Sequence, residues 1–195
     1  GLTNNYINGI GYYNKKLYIS TNMGINILSI IDNSLYLNHK FLDFNTNLFY
    51  NLKIKDNYLF LLGDFGFLKY DLKNRQKISL INDRFYLFDL IDSEKIILSN
   101  QNKLFKFIDE EINFISSIRN IKNIKQCDDN NLWINQGNKA MLINIEKKEK
   151  FKYNYNDGIP GEIINNIGCD ESWAWFSTDK GLSFYNWKKY HEYKD

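Results

Sequence analysis

The sequence has one proline, Pro160, two histidines, His39 and His191, and two cysteines, Cys127 and Cys169, in 195 residues. Two cysteines outside any CxxC or Cys/His cluster do not make a metal site. Both histidines fall in outer-strand segments, away from any nucleophile motif, and read as surface or edge residues. No GxSxG, HExxH or P-loop pattern is present, which argues against the common hydrolase and nucleotide-dependent classes. Charge of one sign is missing too. With 25 basic and 23 acidic residues the net charge is +2, too balanced to point to nucleic acid or an anionic membrane. No apolar run reaches the roughly 18 residues that cross a bilayer, so no membrane insertion is expected in this segment. No signal peptide is visible, and the chain opens at Gly1 inside a repeat unit, as an excised segment would. No helical periodicity holds over a long window.

What is abundant is aromatic: 14 Tyr, 14 Phe and 4 Trp, within a hydrophobic content of 44%. Flat and branched side chains suit strands, and this content suits a globular chain. The chain also repeats itself. Shifted by 157 positions, Gly1, Ile7, Asn8, Ile10, Gly11, Ser20, Thr21 and Gly24 fall on Gly158, Ile164, Asn165, Ile167, Gly168, Ser177, Thr178 and Gly181 without a gap. Weaker copies lie between. "LYISTNMG" at Leu17 is followed by "LFLLGDFG" at Leu59, "IILSNQNK" at Ile96, "LWINQGNK" at Leu132 and "AWFSTDKG" at Ala174. Each copy follows a polar turn and precedes another apolar run, which is hairpin chemistry.

A fixed period of about 40 residues marks a repeat architecture. The fold class expected is all-β, a β-propeller or part of one, built of five four-stranded antiparallel blade repeats. The units are approximately 1–42, 43–82, 83–119, 120–156 and 157–195. In this frame Tyr18, Phe60, Trp133 and Trp175 share one core position, while Trp173 and Trp187 stand outside the register. "GDFG" at Gly63 and "DDNN" at Asp128 read as turns rather than as kinase or calcium motifs. Ser177 and Thr178 flank a turn, and Gly181 relieves its backbone strain. Each cysteine precedes the repeat tryptophan by six residues. A bridge between them stays open but is not indicated, since equivalent positions on neighbouring blades are usually too far apart, and both are read as small buried core residues.

The openings Gly1–Ile7 ("GLTNNYI") and 157–164 ("DGIPGEII"), with "LYISTNMGIN" and "AWFSTDKGLS", resemble the two-component regulator propeller repeat. Ser20–Thr21 and Ser177–Thr178 stand where that family usually has Gly-Thr. The motif is good in units one and five, fair in four and poor in two and three. The resemblance implies the extracytoplasmic, ligand-sensing part of a bacterial signalling receptor, without catalysis or cofactor, and paired as a homodimer through the parent receptor. It implies seven blades or multiples, so five units fit a segment of a larger propeller better than a closed ring. The alternatives are a protein-interaction scaffold of a cell surface or secretion system and, more remotely, a propeller enzyme acting on polysaccharide. A small molecule, a glycan or a protein is the partner expected. Short, monotonous turns occupy one face of such blades and variable loops the other, and binding favours variable loops on a rigid scaffold. By that argument the candidate contacts are Asn22, Asp64, Phe65, Asn156, Asp157, Asp179 and Lys180.

Overall fold

The computed structural model describes residues 1–38 and 48–191, and His39 lies outside them. The fold is all-β, of β-propeller blade type, with every sheet an antiparallel meander of consecutive strands. The first sheet holds β1 (Ile7–Tyr13), β2 (Lys16–Thr21), β3 (Gly24–Ile31) and β4 (Ser34–Asn38). The second holds β5 (Phe49–Lys55), β6 (Tyr58–Gly63), β7 (Gly66–Asp71) and β8 (Gln76–Ile81). The third holds β9 (Leu87–Leu90), β10 (Ile96–Asn100), β11 (Lys103–Ile108) and β12 (Glu111–Ser117). The fourth holds β13 (Asn123–Gln126), β14 (Asn131–Asn135), β15 (Ala140–Asn144) and β16 (Glu149–Tyr153). The chain divides into two compact units, Gly1–Phe88 and Asp89–Asp195.

The fifth sheet departs from the expected four strands. Among the described residues it has three, β17 (Ile164–Cys169), β18 (Ala174–Thr178) and β19 (Gly181–Tyr185), followed by the short helix α1 (Trp187–His191). Two side chains turn the chain into a helix there. Asn186 Oδ1 accepts the Lys189 N–H, as an N-cap does. Trp187 is fully buried and its Nε1 donates to the Asp170 carbonyl at 3.2 Å.

The self-similarity is a structural register. β1 pairs with β2, β5 with β6 and β17 with β18 in the same ladder, each with a bulge at the same place, between Ile7 and Gly9, Phe49 and Asn51, and Ile164 and Asn166. Thr21 and Thr178 do identical work. Each hydroxyl donates to a glycine carbonyl, Gly24 or Gly181, at 2.9 Å and accepts an N–H from within the turn. Gly24 and Gly181 have φ of 125° and 137°, a region that L side chains avoid. The Ser-Thr-x-x-Gly repeat is therefore turn chemistry.

Apolar runs without alternation are strands covered on both faces. Leu59, Phe60, Leu61 and Leu62 in β6 are all fully buried. In unit 1 the core joins Tyr18, Ile25, Leu52, Leu59, Leu61 and Leu68 from two sheets. In unit 2 it joins Trp133, Leu142, Ile164, Ile167, Phe176 and Trp187.

The cysteines overturn the sequence reading. Cys127 and Cys169 form a disulfide, with Cα atoms 5.5 Å apart, inside the usual bridging range. Counting six residues back from each tryptophan hides a slip of one residue. Cys169 is the last ladder residue of β17, opposite Ala174. Cys127 lies one past the ladder of β13, and its N–H bonds Asn131 as that of Asp170 bonds Trp173. The two sites are thus not equivalent, and the offset brings them within reach. Trp175 also differs from its repeat partners, since it is half-buried while Tyr18, Phe60 and Trp133 are buried.

Candidate functional site

In unit 1 a cleft of about 280 Å³ is lined by Tyr50, Gly63, Asp64, Arg84, Phe85 and Tyr86. Each wall has a local cause. Tyr50 is carried on β5, beside the ladder pair of Phe49 with Gly63. Asp64 is the exposed residue of the β6–β7 turn, fixed by its N–H to the Leu48 carbonyl at 3.1 Å. The loop after β8 comes close because Gly66, at φ 99°, has no Cβ; one there would stand 1.9 Å from the Ile81 carbonyl oxygen. Phe85, 1% exposed, anchors that loop and leaves Arg84 and Tyr86 at the surface.

The electrostatics of the cleft are set by one bond. The Tyr50 hydroxyl donates to Asp64 Oδ1. That hydrogen bond, more than burial, pushes the Tyr50 pKa up to about 12. The Tyr50 and Tyr86 rings are 5.8 Å apart and tilted by 36°. The Arg84 side chain makes no ion pair or hydrogen bond with the described residues. A carboxylate, a guanidinium and two phenol rings around one opening can hold a flat polar ligand by stacking and charge-assisted hydrogen bonds.

Of the seven candidate residues, Asp64 alone lines this cleft. Asn22 accepts from Asn8 Nδ2 at 2.7 Å and is part-buried. Phe65 turns inward, its ring edge-on to Phe49 at 5.6 Å and packed on the core. Asn156 and Asp157 sit in a short 3-10 turn, where the Asp157 carboxylate accepts the Asn154 N–H. Asp179 Oδ1 accepts the Ile163 N–H at 3.1 Å, tying its turn to the preceding connection. Lys180, its neighbour, is exposed. Sequence reasoning missed Tyr50, Arg84 and Tyr86. The visible signal was "DRFY" at Asp83, where charge and aromatics interrupt the repeat between β8 and β9.

A larger cavity, about 630 Å³, lies in unit 2 around the Asp128 turn, with Glu146, Glu149, Phe151, Glu171 and Trp187 on its walls. Most of its polar groups serve the fold. Asp128 Oδ1 accepts the N–H groups of Asn130 and Asn131, Asp129 pairs with Lys95 at 2.7 Å, and Glu146 accepts from Asn130. The "DDNN" run is a turn, as its composition suggested. His191 meets the Tyr153 and Tyr185 hydroxyls through Nε2. Burial foremost, with the Tyr185 contact, raises the pKa of Tyr153 above the ordinary phenol range. Among the described residues no group of three His, Cys, Asp or Glu is placed to hold a metal ion. No helix among them is long and apolar enough to cross a membrane.

No protein-family model matches the chain, and no curated protein matches it. Solved structures do. The extracellular domain of a hybrid two-component system from B. thetaiotaomicron superposes with a TM-score of 0.69 at 17% identity, over 92% of this chain and 27% of that one. The extracellular domain of another hybrid two-component system of that organism gives 0.67 at 17% identity, over 94% and 27%. The computationally designed Ika8 protein gives 0.67 at 9% identity, over 93% and 58%. These likenesses carry the fold. The chain spans about a quarter of the length of the two-component structures it matches.

Proposed function

We propose that this chain is a non-catalytic binding module, the ligand-sensing part of the extracellular region of a two-component-type bacterial receptor. The observation that carries the reading is the fold likeness to two such extracellular domains over more than nine tenths of this chain. A second observation agrees with it. The Cys127–Cys169 bridge suits an oxidising compartment outside the cytosol. The cleft of Tyr50, Asp64, Arg84 and Tyr86 is the place for the ligand, because Asp64 and Arg84 are exposed and the Arg84 side chain makes no ion pair or hydrogen bond with the described residues.

The test is NMR chemical-shift mapping with a panel of mono- and disaccharides and free amino acids. The reading expects a member of the panel to shift Tyr50, Arg84 and Tyr86, with the shifts lost in Arg84→Ala. Shifts confined to other surfaces, or chemical turnover of a panel member, would sink it.

A further inference from the structure

The cleft of unit 1 carries one charge of each sign, and the two do not neutralise each other. Asp64 stands in the β6–β7 turn and Arg84 on the connection from β8 to β9, and both are exposed. Backbone hydrogen bonds fix each loop. The Asp64 N–H donates to the Leu48 carbonyl at 3.1 Å. The Arg84 N–H donates to Asp83 Oδ1 at 2.7 Å, and the Phe85 N–H to the Asp83 carbonyl at 3.1 Å. The Asp83 carboxylate is thus engaged with the backbone and lies outside the cleft wall.

The charged atoms themselves are open. Among the described residues the Arg84 guanidinium has no ion pair or hydrogen bond. The Asp64 carboxylate has one partner there, the Tyr50 hydroxyl, which donates to Oδ1 and leaves Oδ2 for a ligand. Tyr50 feels both charges. The Asp64 hydrogen bond foremost raises its pKa, and the Arg84 charge acts in the opposite direction. A carboxylate and a guanidinium therefore act on one phenol from two different loops.

This pattern selects among ligand classes by what each would leave unpaired. A neutral sugar can stack on a tyrosine ring, but it covers a carboxylate and a guanidinium without bringing a counter-charge to either, which costs desolvation. An anion meets Arg84 and sets a like charge beside Asp64, and a cation does the reverse. A small molecule with both signs on neighbouring atoms satisfies both groups. The cleft volume of about 280 Å³ is that of a small ligand, just below the range of about 300–1,000 Å³ usual for drug-sized ones. The Tyr50 and Tyr86 rings add attraction for an ammonium.

We infer that the cleft takes a free α-amino acid, its ammonium on Asp64 Oδ2 beside the tyrosine rings and its carboxylate on the Arg84 guanidinium. The inference rests on the reading of this cleft as the ligand site and names its ligand class. Both recognised groups sit on the one carbon common to all α-amino acids, so these contacts do not depend on the ligand's side chain.

Isothermal titration with the standard free L-amino acids, run beside glucose, galactose and N-acetylglucosamine and mapped by NMR shifts, tests it. At least one amino acid is expected to bind and to shift Tyr50, Arg84 and Tyr86. Its N-acetyl derivative lacks the ammonium and its carboxamide lacks the carboxylate, and each is expected to bind about tenfold more weakly or worse. Asp64→Asn should weaken the amino acid by a similar factor and not the N-acetyl derivative, and Arg84→Gln should weaken the amino acid and not the carboxamide. Each variant serves as its own control for folding, because two ligands are compared on the same protein. A sugar that shifts these residues while no amino acid does overturns the inference and leaves the cleft a ligand site. Equal affinity for the amino acid and both blocked derivatives overturns it too. No shift at these residues from any probe overturns it together with the reading of the cleft.

Discussion

At the scale of the residue, polar side chains in this protein are mostly committed to the backbone. Asp71 accepts from Lys73, Asn74 and the Asn74 amide, and these bonds hold its carboxyl below the ordinary range. Asp170 does the same for Ser172 and Trp173. Tyr50 is different, because its partner Asp64 faces solvent at the cleft. The Tyr50 pKa is raised on folding to about 12. The hydrogen bond therefore contributes fully below the ordinary phenol pKa of about 10 and is lost as pH rises through the folded value. Asp64→Asn is expected to move the Tyr50 titration down towards that ordinary value, measured by the NMR shift of its ring carbon Cζ. No movement would show that another cause holds the proton. Sequence reasoning found Asp64 and Asp179 as polar turn residues. It had no means of telling that Asp179 is spent on Ile163 while Asp64 opens onto a cleft, because that distinction depends on which loop folds over each turn.

At the scale of the element, the hairpins were legible and their cost was not. Asn14–Lys15, Asp32–Asn33 and Asp109–Glu110 each place two consecutive residues at positive φ, the geometry of the tight primed turn that matches strand twist. Asn and Asp tolerate it, but Lys15 (φ 59°) and Glu110 (φ 63°) pay a steric penalty that glycine does not. Glu110→Gly is expected to raise stability by about 1 kcal/mol in urea unfolding. A loss of that size would mean that the Glu110 side chain makes a stabilising contact. The expected fourth strand of the last unit failed for a local reason. "FYNWKKYH" reads as easily extended as helical. The choice was made by the fit of Trp187 into the core and by the Asn186 cap, both tertiary or stereochemical facts that composition does not carry.

At the scale of the whole molecule, the repeat was the most legible feature, because self-similarity at fixed spacing survives where individual motifs decay. Five sheets follow from it, and among the described residues four have the expected strand count. The covalent bridge did not follow, since it depends on a one-residue difference between two turns. The bridge lies wholly within unit 2 and closes 42 residues. Loop-closure entropy for that length gives about 4 kcal/mol of stabilisation. Reduction is expected to speed amide hydrogen exchange in β13–β19 and to leave β1–β7 unchanged. Uniform loss of protection in both units would show that they unfold as one.

The bridge also has a consequence for the order of events during synthesis. Cys127 leaves the ribosome 42 residues ahead of Cys169. At roughly 5–20 residues per second that is a wait of about 2–8 s. Through that interval it is the lone thiol of this segment, open to capping by any small disulfide it meets. If Cys127 is capped, native pairing proceeds by exchange, with the arriving Cys169 displacing the cap, and maturation of this protein is then paced by its redox surroundings as well as by its fold.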